Sequence, residues 1–92
     1  MNPKHDIELL ARNELVRYRN AAGESYWFDV ALAKDTWTIY LPATKGEIGQ
    51  VQKVPAEESE PLLPIVEKFL ENVKWFGFFG GPFRVRVQSA SV

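Results

Sequence analysis

The chain contains no cysteine, a single histidine and a single methionine in 92 residues. The missing cysteine removes disulfides and thiolate-ligated zinc as staples for a small fold, and removes the thiolate nucleophile. The single histidine, His5, lies near the N-terminus. It leaves no second imidazole for a transition-metal site and no positioned base for a serine. Ser25, Ser59, Ser89 and Ser91 fall in a predicted turn, at a predicted helix start and in the C-terminal tail. Long apolar runs are missing too. The longest uncharged stretches, 75–83 and 36–44, are far short of the roughly 20 residues a membrane helix needs. MNPKHDIELL lacks the apolar run of a signal peptide. No cysteine and no export signal together predict a cytoplasmic protein. A net charge of -1 provides no global positive field to hold a polyanion.

Motifs for small-molecule chemistry are scarce as well. Gly46-Glu47-Ile48-Gly49 has the outline of a G-x-x-G loop, but Glu47 would repel a phosphate, and Gly77-Phe78-Phe79-Gly80 has no basic residue inside it. Asp29 and Asp35 lack a third acid at calcium-loop spacing. Glu57, Glu58 and Glu60 cluster where a helix dipole favours negative charge, a simpler role than paired acid–base work. No catalytic residue, no metal site and no cofactor are predicted, and the chain is not expected to be an enzyme.

What the sequence does contain is ordinary globular composition: 46% hydrophobic, 25% charged and 13% aromatic. Ninety-two residues suit one domain, 1–92, with a thin core that buries roughly 60–65% of the unfolded surface. Aromatic residues contribute heavily, since each buries roughly 150–250 Å². Five of the nine residues in 75–83, WFGFFGGPF, are aromatic. They either fill the space between helix and sheet or leave a partner-binding remainder.

Periodicity supplies the elements. Residues 14–19 alternate Val16 and Tyr18 with Arg17 and Arg19, which predicts a strand. Turn chemistry follows at 20–25. Residues 26–33 put Tyr26, Phe28, Val30 and Leu32 on one face; residues 36–41 put Trp37, Ile39 and Leu41 on one face. A two-residue loop at Lys34-Asp35 sets Leu32 opposite Trp37, Val30 opposite Ile39 and Phe28 opposite Leu41. A one-residue slip destroys every match. A loop near Ala22 likewise sets Tyr18 opposite Tyr26, Val16 opposite Phe28 and Arg17 beside Trp27. Pro42 is expected to end the third strand, and 43–56 reads as a long loop with a short strand near 50–54. A helix is expected from Ser59 or Glu60, with Pro61 in its first turn and Pro64 delaying the regular helix. Leu62, Ile65, Val66, Phe69, Leu70 and Val73 form its apolar stripe, with Phe69 mid-stripe in the core. Gly77 is the expected helix stop, letting Phe78 fold back on Val73. Phe83, Val85 and Val87 then alternate in a last strand at a sheet edge, beside the first or third strand. A short helix capped by Asp6 is expected over 5–12. The predicted class is α+β, two-layer, in the order (α)βββαβ: an antiparallel three-stranded meander plus a C-terminal strand, packed on one main helix.

The face of the sheet away from the helix carries Arg17, Arg19, Trp27, Asp29, Thr38 and Tyr40, joined by Arg84 and Arg86 if Val85 points inward. Such a face is often merely solvated, with arginine stems covering Trp27. Tryptophan, tyrosine and arginine also dominate protein hot spots. Aromatics among arginines on a sheet hold single-stranded nucleic acid as well, by stacking and backbone charge. The near-neutral charge ranks a protein partner ahead of nucleic acid. Arg17, Arg19, Trp27, Asp29, Tyr40, Arg84 and Arg86 are the expected partner-binding residues, for another protein or for a homodimer. In plan, the meander, the Trp37 strand ending at Pro42, the apolar helix over 65–73, Gly77 and the closing Val85 and Val87 strand resemble small bacterial immunity proteins of toxin systems. The likeness spans roughly 14–88 and is one of layout, so it transfers no functional residue. It implies a small non-catalytic protein that docks and inhibits one partner.

Overall fold

Alternating strands build about half of the described residues. The computed structural model describes residues 6–10, 14–47, 49–73 and 83–89. They form an α+β fold with a mixed sheet of six strands and a helical segment against one face. The strands are β1 (Asp6–Leu10), β2 (Leu15–Arg19), β3 (Ser25–Ala33), β4 (Thr36–Lys45), β5 (Gln52–Lys53) and β6 (Arg84–Ser89). Strands β1 to β4 pair antiparallel in sequence order. Strands β5 and β6 share the far side of β4: β5 antiparallel at Thr44 and Lys45, β6 parallel along 36–41. A parallel neighbour needs a long crossover, and the helical segment supplies it.

Both predicted hairpins form. Tyr18 faces Tyr26, Val16 faces Phe28 and Arg17 faces Trp27. Leu32 faces Trp37 and Val30 faces Ile39. The third expected pair, Phe28 with Leu41, is lost to a register shift between Trp27 and Asp29. Beyond it Trp27 faces Thr44, so β4 holds two more residues here than β3. A shift of two keeps every side chain on its own face. Pro42 sits in this shift, where its missing N–H breaks no regular ladder. The third strand therefore runs through Pro42 to Lys45 instead of ending there, with a cis Leu41–Pro42 bond. At the hairpin tip Lys34 takes φ +59°. In the first turn Gly23 takes φ +86°, while the Asn20 side chain accepts from the Ala22 and Glu24 amides.

The N-terminal helix expected over 5–12 is instead strand β1, in register with β2 from Asp6 opposite Arg19 to Leu10 opposite Leu15. The Asp6-Ile7-Glu8-Leu9 alternation has period two, and pairing with the open edge of β2 outweighs weak helix propensity. The predicted short strand after β4 is β5. The helical segment begins one turn earlier than expected, behind Pro55, as α1 (Ala56–Ser59), a 3-10 turn (Glu60–Leu62) and α2 (Leu63–Glu71). Pro61 and Pro64 each lie at the start of a new helical piece, where the missing N–H costs nothing.

Val16, Phe28, Trp37 and Ile39 of the sheet and Val66 and Leu70 of α2 are fully buried together. Phe69, expected at the centre, packs against this cluster but stays half-buried. Phe83 stands edge-on to Trp37, ring centres 6.1 Å apart. No described helix is long and apolar enough to cross a membrane. The expected helix stop at Gly77, the Phe78 fold-back, the aromatic stretch before Phe83, the tail after Ser89, and His5, Ala11 and Arg12 lie outside the described residues.

Candidate functional site

Cross-strand pairing brings the seven predicted residues to one face of the sheet, away from α2, in two groups. Arg17, Arg19, Trp27 and Asp29 stand on β2 and β3. Arg84 and Arg86 stand on β6, opposite Thr36 and Thr38 of β4. Tyr40, 38% exposed and opposite Asp29, lies between the groups.

Their environments differ sharply. Arg17 lies between Glu8 and Trp27 in the register. Its guanidinium donates to the Asp6 carboxylate at 3.3 Å and to the Glu8 carboxylate, and only 18% of the side chain is exposed. Strand β1 therefore neutralises the central arginine of this face. Sequence reasoning missed both acids by reading β1 as a helix, although the alternation itself carried the signal. Arg86 donates from Nε to the Thr38 hydroxyl and from its terminal nitrogen to the Gln88 amide oxygen, each at 3.2 Å. Arg19 and Arg84 have no side-chain partner among the described residues.

Trp27 is half-buried, and its indole N–H donates to the Gly46 carbonyl at 2.8 Å. Gly46 takes φ +131°, and a Cβ there would stand 2.9 Å from the Gln50 carbonyl oxygen. Glycine suits this turn of the loop after β4, where the backbone doubles back closely on Gln50. Beside the ring the fold leaves an open hollow of about 330 Å³, lined by Leu15, Trp27, Thr44, Gly49 and Val51. Its walls are almost wholly apolar, and Val51 is 42% exposed. Of these residues only Trp27 was foreseen. The others come together through the loop's path, which no periodicity encodes.

A second polar cluster ties α1 to the sheet. The Tyr26 hydroxyl donates to Glu58 Oε2 at 2.8 Å. Lys45 Nζ stands 3.0 Å from the same oxygen, 3.3 Å from Glu24, and 5.3 Å from the centre of the Tyr26 ring. Hydrogen bonds to Glu58, then to Glu24, hold the Lys45 ammonium far above its ordinary pKa. Glu58 is lowered by Lys45 first and Tyr26 second, and Glu24 by Asn20 first and Lys45 second. Burial, then the bond to Glu58, raises the Tyr26 phenol. Every shift leads away from neutrality, opposite to what general acid–base work requires. The arrangement latches the chain. Among the described residues no three of His, Asp or Glu converge to hold a metal ion. Compared with protein-family models, with curated proteins and with solved structures, the chain matches none.

Proposed function

We propose that this chain is a non-catalytic protein-binding module that receives an apolar side chain of a partner protein in the hollow beside Trp27. Inhibition of that partner, as in immunity proteins, is the purpose such a module suits. The observation that carries this reading is the hollow itself: apolar walls of Leu15, Trp27 and Val51 on an otherwise polar face. Its surroundings have interface composition, with exposed Tyr40, Asp29 and Arg19 on the same face. The nucleic-acid alternative loses its central cation, because Arg17 already serves Asp6 and Glu8.

The test is selection of a displayed random-peptide library on the full chain, followed by titration of selected peptides. Peptides with an aromatic or branched apolar anchor are expected. Val51→Lys should abolish their binding without changing the fold, since Val51 is exposed, and Trp27→Ala should weaken it by about 2 kcal/mol or more. Selected peptides that bind Val51→Lys as well as wild type, or no selection at all, would overturn the reading. Tight capture of single-stranded oligonucleotides with a steep salt dependence would replace it with the nucleic-acid reading.

A further inference from the structure

Among the described residues the sheet has two edge strands of at least five residues, β1 on one side and β6 on the other. Among the described residues no strand pairs with the outer side of either, and an open strand edge is a template for adding a strand. Their side chains are complementary in period two. On the face away from α2, β1 presents Asp6 and Glu8, while β6 presents Arg84 and Arg86. On the helix face β1 presents Ile7 and Leu9, while β6 presents Val85 and Val87, the last 38% exposed. Asp6 and Glu8 remain 52% and 46% exposed despite binding Arg17, so their oxygens can accept further donors. Arg84 has no side-chain partner among the described residues.

We propose that β6 of one copy pairs with β1 of the next, so that the chain assembles head to tail into one continuous sheet. Strand direction permits it. Strands β2, β4 and β6 run opposite to β1 and β3. A second copy in the same orientation therefore lays its β1 antiparallel against β6. One register sets Arg84 across from Glu8, Val85 across from Ile7 and Arg86 across from Asp6. Charges meet opposite charges and apolar residues meet apolar residues, each such pair stabilising the join. Pairing of like edges is penalised instead. A β1–β1 join faces acid with acid, and a β6–β6 join faces arginine with arginine, so the charges that forbid a symmetric dimer favour the unlike pair. The contact is heterologous, and the rotation between copies decides between a ring and a filament. The inference does not depend on the hollow, which is built by β2, β3, β4 and the loop after β4.

The experiment is sedimentation velocity of the full chain over a range of concentration and salt. Wild type is expected to gain mass with concentration at low salt and to lose it as salt rises. Arg84→Glu/Arg86→Glu should remain monomeric with an unchanged circular dichroism spectrum. Asp6→Lys/Glu8→Lys should do the same, and an equimolar mixture of the two should assemble, because each reversed edge again meets its opposite. That rescue separates edge pairing from docking on the outer face, which Val51→Lys would disturb while leaving assembly intact. A wild type monomeric at its solubility limit in low salt overturns the proposal. So does a β6 variant that assembles like wild type, or a mixture of two folded variants that stays monomeric. Should Asp6→Lys/Glu8→Lys fail to fold beside Arg17, the β6 variant and the wild-type salt titration decide alone.

Discussion

Lys45 holds two carboxylates at once, and the sign of its effect on stability can be worked out. The folded state lowers the pKa of Glu58 and Glu24, so their contribution is complete above the ordinary carboxylate value of 4.5 and fades as pH falls through the folded values. Lys45 and Tyr26 are raised, so their contribution is complete below about 10 and fades as pH climbs further. Glu58→Gln should accordingly melt below wild type at neutral pH, with the gap closing as the solution is acidified below 4.5. Calorimetry at a series of pH values reads this directly, and a pH-independent gap would mean that the ion pair is idle. Gly46 makes a second case at the same scale. Gly46→Ala combines φ +131° with a Cβ 2.9 Å from a carbonyl oxygen. It should cost about 1–3 kcal/mol in urea unfolding and displace the acceptor of the Trp27 indole.

Helix α2 shows why a stripe read from spacing needs the sheet to complete it. Spacing marks Val66, Phe69 and Leu70 alike as apolar. Packing of α2 on the sheet seals Val66 and Leu70 and leaves Phe69 half-buried. Leu70→Ala should therefore cost about 2–5 kcal/mol, and Phe69→Ala less than the 3–5 kcal/mol or so of a fully buried phenylalanine. Chemical denaturation of the two variants side by side settles the order. Strand β1 makes the complementary point. Its pairing predicts NOEs between Leu9 and Val16 and between Ile7 and Tyr18, where a helix would show sequential amide contacts instead. The alternation from Asp6 to Leu9 runs for only two periods, and Asp6 as a helix cap competed with it.

At the scale of the whole molecule, charge placement matters more than net charge. Four arginines share the outer face, but one is committed to β1, leaving Arg19, Arg84 and Arg86 exposed. Any single-stranded oligonucleotide would then release few counterions. The log–log salt slope should be no steeper than about -2, from roughly 0.7 per neutralised phosphate. Fluorescence anisotropy over a salt series measures it, and a steeper slope would mean that Arg17 leaves its carboxylates.

The sequence by itself determined the elements whose partners lie close along the chain. Both hairpins, the sheet's two faces and the apolar stripe follow from local periodicity, because a strand or helix must turn its apolar residues to one side wherever it lies. The coarse α+β class follows with them. Tertiary structure alone decided what depends on distant segments. It turned residues 6–10 into an edge strand, because only β2 completes their hydrogen bonds. It laid β6 parallel to β4, because the helical crossover fixes the direction of return. It folded the Gly46 loop against Trp27, making the hollow from residues whose sequence separations carry no common period. The outer face was therefore legible as a set of residues. Its neutralised arginine, its hollow and its complementary edges were not, because each is a relation between strands.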